Sequence, residues 1–168
     1  MPYGYDHKFV YSHLGYNLKP TDMQAAIGVS QLDKVDDFIA ARNANVAGYM
    51  RAFRDAGLDE HFILPEATPN SEPSWFGFFL TIRDDSPLDR RDLLSHLEDM
   101  RIGSRPLFSG NIIYQPAFEG VEYRVFGDLT NTHKIMNDSF WLGCWPGISS
   151  DQIAYVTDSI VDYLRKNH

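Results

Sequence analysis

The stretch HLGYNLKPTDMQAAIG, His13–Gly28, decides the fold, because a polar loop runs through a proline into the start of a helix. Thr21 precedes the helical residues and Gln24 follows three positions later, which is the capping-box spacing. The small residues that follow favour close packing of the helix against a neighbour. Groups able to bind a ligand therefore come directly before a helix whose first turns predict tight packing. These small residues are Ala25, Ala26 and Gly28.

Beyond this start, apolar residues recur at helical spacing from Leu32 to Phe53, and Gly57 is the expected stop. The pattern predicts a long N-terminal helix. A helix of this length is unusual in a globular domain, and polarity rises at Arg42–Asn45. We therefore expect a kink or break at 42–45.

The rest of the chain alternates predicted strands and helices. Pro-rich and loop-like connections are expected at Phe62–Trp75 and Ser109–Asp128. The order predicts an α/β fold with a small sheet covered by helices. The predicted elements are a strand at Trp75–Arg83, a helix opened by Ser86–Pro87, a strand at Ile102–Phe108, a short helix at Thr132–Ser139, a strand in FWLGCWPG (140–147), and a final amphipathic helix after the capping-box pair Ser149 and Gln152.

Composition limits the class of protein. The chain has 168 residues, 43% hydrophobic residues and a net charge of −8, which favours a folded domain and disfavours a nucleic-acid surface. The single cysteine, Cys144, excludes an intrachain disulfide and is expected to be a buried small residue. No apolar run is long enough to span a membrane, and the six histidines lack metal-site spacing, so we expect neither membrane nor metal binding. A reduced, cytoplasmic setting is the simplest interpretation.

Three polar or aromatic segments are candidate sites. In the first, Ser12, His13, Tyr16, Asn17 and Lys19 collect donors and acceptors beside a helix start, where phosphate oxygens bind well. On residue type alone, the alternative is that Asn17 satisfies a turn, Lys19 is solvated and Tyr16 packs.

The second segment is GSRPLFSGN, Gly103–Asn111, in which Arg105 leaves a predicted strand next to Pro106. Arginine is suited to two-pronged contact with phosphate or carboxylate. The alternative is a surface arginine paired with one of the many acids. The third segment, SWFGF (74–78), could line a pocket, but aromatic residues in a strand are more often core.

Several long motifs, in order, resemble the DegT/StrS-type sugar aminotransferases and dehydratases, which have a pyridoxal-phosphate-enzyme fold. The first of them is the helix-start segment, His13–Leu32. Further motifs are similar to the branch of 3-dehydratases that act on CDP-4-keto-6-deoxyglucose in lipopolysaccharide synthesis. They are YDHKFVYSHLGYN (5–17), LPEATPNSEPSWFGF (64–78), IGSRPLFSGN (102–111), YRVFGDLTNTHKIMNDSFWLG (123–143) and WPG (145–147).

The resemblance implies that this chain is the small C-terminal domain of the type I aminotransferase fold. Residues 1–20 would be an arm belonging to the absent large domain, and residues 21–168 the small domain with its long connecting helix. In that branch a histidine replaces the Schiff-base lysine, pyridoxamine phosphate is held without a covalent bond, and iron–sulfur cysteines lie upstream. The resemblance therefore implies that this chain is a truncated or shortened product of such an enzyme. It implies no catalytic residue in this chain and no cofactor bound to the chain alone.

The resemblance also implies roles for particular residues. Asn17 and Lys19 would approach the cofactor phosphate or substrate of a neighbouring subunit, and Arg105 and Asn111 would hold the nucleotide-sugar, supported by His13 and Tyr16. Expected partners are a second copy, the nucleotide-sugar, and a flavin and iron–sulfur reductase for the whole enzyme. Alternatives are a fragment of a nucleotide-sugar aminotransferase, or a non-enzymatic module that dimerises or binds a nucleotide-sugar.

Overall fold

The long N-terminal helical region is two helices in the computed structural model, which describes residues 6–15 and 20–167. Helix α1 spans Asp22–Leu32, and helix α2 spans Val35–Asp55. The capping box is confirmed, with Gln24 Oε1 accepting from Thr21 N at 2.8 Å. The stop is confirmed as well, because Gly57 follows α2 with a φ of 73°.

The predicted break at Arg42–Asn45 is wrong, because the helices separate at residues 33–34 and α2 runs unbroken through 42–45. The polar residues there make tertiary hydrogen bonds instead of ending the helix. Arg42 Nε donates to the carbonyl oxygen of Trp75 at 2.6 Å, and Asn45 Nδ2 donates to that of Trp145 at 2.7 Å. The polar residues inside this helix therefore serve two hydrogen bonds to loop carbonyl oxygens.

The sheet has four antiparallel strands in the order β1-β2-β4-β3, which confirms the prediction of a small sheet. All three predicted strands are shorter than expected, and β1 falls in a segment predicted to be only a connection. That prediction missed β1 because a two-residue strand has no periodicity of its own and exists by pairing Phe62 with Ile82. The strands are β1 (Phe62–Ile63), β2 (Phe78–Ile82), β3 (Ser104–Arg105) and β4 (Ser139–Leu142).

Three further helices cover the sheet. Helix α3 spans Arg90–Asp99 and does not begin at Ser86–Pro87, because Asp89 is the N-cap and its Oδ1 accepts from Asp92 N at 3.0 Å. Helix α4 spans Thr130–Asp138, close to its predicted position. Helix α5 spans Ser150–Asn167 and begins directly after Ser149, the first residue of the predicted pair, whose backbone N donates to Gln152 Oε1 at 2.9 Å. None of the described helices combines the length and apolarity needed to cross a membrane.

Aromatic rings join α2 to the sheet in the core. Tyr49 stacks on Phe78 with ring centroids 4.9 Å apart, and Phe53 meets Phe78 edge-on at 5.0 Å. Burial of Tyr49 raises its phenol pKa to about 12, since the ionised form would lose its hydration. The core therefore lies between one face of the sheet and helices α2, α3 and α5. It is completed by Leu58, Phe62, Leu80, Leu93, Leu97, Phe140, Leu142 and Ile160.

Helix α1 contrasts with this core, because none of its residues is buried. Met23 is 81% exposed and Ile27 66% exposed. A Cβ atom added at Gly28 would meet nothing within 4 Å. The close packing expected around the small residues of α1 is therefore not made by the described part of this chain.

Candidate functional site

The N-terminal arm is held against the loop 109–117 by one buried side chain, Gln115. Its Nε2 donates to the carbonyl oxygens of Phe9 and Ser109, each at 2.8 Å. Its Oε1 accepts from Tyr11 N at 2.8 Å, and Ala117 N donates back to Tyr11 O at 2.9 Å. Because the Gln115 amide both donates to and accepts from the backbone of the arm, it fixes the position of the arm.

Arg105 lies at the end of β3, where the arm and the start of α3 enclose a cavity of about 340 Å³. Its Nη1 donates to the carbonyl oxygen of Ser104 at 2.8 Å, which orients the guanidinium along the strand. Lys8, Arg90 and Arg91 also line this space, together with two acids. We call it the cationic cavity. Its remaining lining residues are Asp6, Leu94, Ser95, Glu98, Ile102, Gly103, Ser104 and Pro106.

A second hollow, of about 270 Å³, also borders Arg105 and shares Gly103 and Ser104 with the cationic cavity. Phe76 and Trp141 form its aromatic wall, with ring centroids 5.5 Å apart. Phe76 is 65% exposed, whereas Phe78 is fully buried. The segment SWFGF therefore contributes to both the core and an open aromatic surface, and the core interpretation is wrong for Phe76. Flat rings of this kind suit contact with a planar or sugar ring.

Asn111 is only 2% exposed, although the resemblance predicts that it binds substrate. Its Oδ1 accepts from Ile113 N at 3.3 Å and caps a short 3-10 turn, Ile112–Tyr114. Its Nδ2 has no hydrogen-bond partner among the described residues. The described conformation thus gives Asn111 a structural role in the loop that Gln115 organises, and its contact with substrate stays a prediction.

The resemblance gives binding roles to four residues of the first polar segment, and of these only His13 lies within the described residues. Its Nδ1 is 2.8 Å from Ser12 Oγ, its side chain is exposed, and it lines neither the cationic cavity nor the aromatic hollow. Tyr16, Asn17 and Lys19 lie outside the described residues, so their roles stay predictions.

Two chemically notable side chains are engaged elsewhere. Lys134 Nζ donates to Asp84, to Asp138 Oδ2 at 3.1 Å and to Ile82 O at 3.0 Å, and these contacts, Asp84 first, raise its pKa. Cys144 is buried, as predicted, and donates to Trp75 O at 3.2 Å. Burial raises the pKa of this thiol. Within 6–15 and 20–167, no three His, Cys, Asp or Glu side chains cluster as metal ligands do.

The small sheet and its covering helices define one part of an aminotransferase-type, pyridoxal-phosphate-enzyme fold. The chain belongs to the DegT/DnrJ/EryC1/StrS aminotransferase family, whose model matches residues 2–161. It is 47% identical to lipopolysaccharide biosynthesis protein RfbH of Salmonella typhimurium, over 99% of this chain and 38% of RfbH. It is also 47% identical to dTDP-4-dehydro-2,6-dideoxy-D-glucose 3-dehydratase of Saccharopolyspora spinosa, over 99% of this chain and 36% of that enzyme.

A solved structure shows the same fold. E. coli GDP-4-keto-6-deoxy-D-mannose-3-dehydratase, with bound hydrated PLP, superposes with a TM-score of 0.71 and 27% identity, over 92% of this chain and 39% of that one. The expected small α/β part of an aminotransferase-type fold is confirmed. The chain spans less than two fifths of the length of these relatives.

Sequence reasoning identified Arg105 but missed the three cations that share its cavity. Lys8 lies in the arm, and Arg90 and Arg91 lie in the first turn of α3. Each is unremarkable in its own segment, and only the fold brings the segments together. The one available clue was that an acidic chain places two consecutive arginines at a helix start, where the helix dipole disfavours positive charge.

Proposed function

We propose that this chain is the C-terminal part of a pyridoxamine-phosphate-dependent nucleotide-sugar 3-dehydratase, which removes the C3 hydroxyl of a 4-keto-6-deoxyhexose. The preferred substrate is a CDP-linked sugar, in 3,6-dideoxyhexose and O-antigen synthesis in the cytoplasm. Residues 1–20 are the arm of the large domain and residues 21–168 the small domain.

The observation that carries this proposal is 47% identity, over 99% of the chain, to a protein named a 3-dehydratase. A relative of the other chemical class, GDP-perosamine synthase of E. coli, is 27% identical over 89% of the chain. The difference favours a dehydratase over an aminotransferase. The 47% identity to a named enzyme favours an enzyme over a non-enzymatic module.

In this proposal Arg105 binds the nucleotide-sugar from the edge of β3. Two cavities border Arg105. The cationic cavity suits negative charge, and the aromatic hollow suits the face of a ring. Arg42 acts as a positioning residue, since its guanidinium donates to the carbonyl oxygens of Trp75 and Phe76 and so holds the loop that carries the Phe76 ring.

The described residues do not fit covalent attachment of the cofactor through Lys134. A lysine that attacks a carbonyl needs a lowered pKa, whereas the pKa of Lys134 is raised by two carboxylates. The mode of cofactor attachment is therefore set by the large domain, and Asn17 and Lys19 contribute non-covalent contacts in this proposal. When bound in the whole enzyme, the cofactor supplies an electron sink for loss of the C3 hydroxyl.

The proposed partners follow from the same reading. A reductase with flavin and iron–sulfur centres supplies electrons to the whole enzyme, and a second copy completes the site.

The exposed apolar residues of α1 support self-association, because single helices that bury nothing are marginal in water. Sedimentation should show concentration-dependent dimers that Ile27→Glu weakens and Asn131→Glu, on the exposed side of α4, leaves intact. A stable monomer at high concentration would contradict the dimer.

A chimera tests the reaction. This chain replaces the matching segment of the Saccharopolyspora spinosa enzyme, and the product from dTDP-4-dehydro-2,6-dideoxy-D-glucose is identified by mass spectrometry. We expect loss of the C3 hydroxyl, because the small domain supplies binding groups of the same type. A folded chimera that instead transfers an amino group would support the aminotransferase alternative, and one with neither activity would contradict the proposal.

The 168-residue chain by itself should show no absorbance band of bound cofactor after incubation with pyridoxal or pyridoxamine phosphate and desalting. The reason is that the proposal places the main cofactor contacts in the large domain. Saturable, tight binding of either compound by the chain alone would contradict the placement of the main cofactor contacts in the large domain.

A further inference from the structure

We propose that Gln115 is a positioning residue, because its buried amide joins the arm to the loop 109–117. This inference rests on the proposed function, in which the arm leads to the cofactor contacts at Asn17 and Lys19 and the loop carries Asn111, a substrate contact. Gln115 itself contacts neither ligand. It holds the two segments in one register, so that the cofactor contacts and the substrate contact keep a fixed separation.

The first step is that the donors of the Gln115 amide are fully used. The side chain is only 3% exposed. Its nitrogen donates to the carbonyl oxygens of Phe9 and Ser109, and its oxygen accepts from Tyr11 N, all at 2.8 Å. A glutamine amide has two N–H groups, so no donor is left for a ligand. The residue therefore acts on its neighbours and not on a bound molecule.

The second step is that these partners require a neutral amide. Gln115 faces two carbonyl oxygens and one backbone N–H. A carboxylate has no N–H to donate and places negative charge against both carbonyl oxygens, and an alanine leaves all three backbone groups without this partner. Backbone groups that are shielded from water weaken the structure when they lose a partner. Docking of the arm therefore depends on the amide of one side chain.

The third step is that the arm has a defined shape where the amide holds it. Residues His7–Phe9 form a 3-10 turn. Beyond this turn, Ala117 N donates to Tyr11 O at 2.9 Å, which pairs the arm with the loop through the backbone as well. The rings of Phe9 and Phe108 meet edge-on, with centroids 6.4 Å apart. The arm and the loop therefore form one packed and hydrogen-bonded unit.

The fourth step is that the same residue closes the loop around Asn111. The Gln115 amide donates to Ser109 O, two residues before Asn111. The backbone N of Gln115 donates to Ile112 O at 3.0 Å, directly after Asn111. Asn111 therefore lies in a loop that Gln115 closes from both sides. Loss of the amide should release the loop and the arm together, and so weaken both substrate and cofactor binding.

Titration of the chimera with pyridoxamine phosphate, followed by absorbance, tests the effect on the cofactor. Gln115→Glu should raise the dissociation constant by about tenfold at a pH of about 8, where the carboxylate opposes the carbonyl oxygens of Phe9 and Ser109. Gln152→Glu is the matched control, because this exposed side chain on α5 still accepts from Ser149 N after the same change. An unchanged dissociation constant for Gln115→Glu, or an equal rise for Gln152→Glu, would overturn the proposal.

A pH series separates positioning from a general loss of structure. Burial raises the pKa of a carboxyl group introduced at position 115, so acid protonates it readily. The protonated group can donate to one carbonyl oxygen and still accept from Tyr11 N. Cofactor affinity of Gln115→Glu, relative to the unmodified chimera at each pH, should therefore recover by about threefold between about pH 8 and 5.5. Gln115→Ala should show no recovery, and equal pH profiles of the two variants would overturn the proposal.

Turnover separates this inference from the proposed function. In a chimera that removes the C3 hydroxyl, Gln115→Ala should raise both the cofactor dissociation constant and the KM for the nucleotide-sugar, with a smaller change in kcat. A rise in only one of the two would overturn the joint role of Gln115 and leave the dehydratase proposal standing. If the unmodified chimera binds cofactor without removing the hydroxyl, the dehydratase proposal falls, and the cofactor titration still decides the role of Gln115. A chimera that binds no cofactor overturns both.

Discussion

Helix α1 and helix α2 are consecutive in the chain, yet they belong to different physical situations. Three residues of α2, Val46, Tyr49 and Phe53, are buried in the core, whereas α1 buries none. Helix α1 has a clear capping box at its start, and both helices carry large apolar residues. The comparison teaches that local capping defines where a helix begins, while packing partners decide how much it contributes to stability.

The largest expected difference concerns the apolar side chains of the two regions. Phe53→Ala should lower the free energy of unfolding by about 3–5 kcal/mol, because it leaves a cavity among the rings of Tyr49, Phe62 and Phe78. Ile27→Ala in α1 should change it by less than about 0.5 kcal/mol. Urea unfolding at a concentration where the chain is monomeric measures both. A similar loss for Ile27→Ala would show that α1 packs within its own chain.

The next effect is the alkaline pH dependence of the core. The pKa of Tyr49 is about 12 in the folded chain and about 10 when unfolded, so between these values the unfolded state binds fewer protons. Stability therefore falls as pH rises from about 10 to 12, by about 2 kcal/mol from this group. Tyr49→Phe is the control and should lack this part of the loss. Parallel stability curves for the two proteins over this range would refute the assignment.

A smaller and local effect is expected where the arm meets the loop 109–117. Gln115→Ala removes the side-chain bonds to Phe9, Ser109 and Tyr11, each worth about 1 kcal/mol. Hydrogen exchange of the Tyr11 amide should accelerate more than tenfold, while the Leu93 amide in α3 keeps its rate. If Tyr11 remains as protected as before, the arm is held by other contacts.

The smallest effect tests the cap of α1. Gln24→Ala removes the bond from Thr21 N to Gln24 Oε1, but alanine also favours helix, so the net change should be about 0.5 kcal/mol or less and confined to α1. Faster exchange of the Thr21 amide is the measurement. Gln31→Ala, near the other end of the same helix, is the control and should leave that amide unaffected.

Local features of the sequence predicted much of this fold. The pairs Thr21–Gln24 and Ser149–Gln152 mark helix starts because the bonds they make lie within one turn of chain. The break at 33–34 and the strand β1 were not predictable in this way. Polar residues at 42–45 looked like a break until their loop partners were known, and β1 depends on pairing Phe62 with Ile82 and Ile63 with Thr81.

The candidate site shows the same limit. Arg105 was found from residue type and its place beside Pro106, but its neighbours Lys8, Arg90 and Arg91 come together only through tertiary structure. Asn111 was expected to hold the nucleotide-sugar because of the family resemblance, and the structure uses its side-chain oxygen inside a loop turn. Phe76 was grouped with core aromatics because aromatic residues in a strand are usually buried, but Phe76 precedes β2 and is 65% exposed.

The position of Cys144 has a practical consequence. It is the only thiol of the chain, it is buried, and it donates to Trp75 O, with a pKa raised by burial. A thiol reagent can therefore react only in molecules in which the region around Cys144, just after β4, has opened. The labelling rate measures how often that region opens. The native protein therefore carries its own reporter of local opening, and no label site has to be introduced.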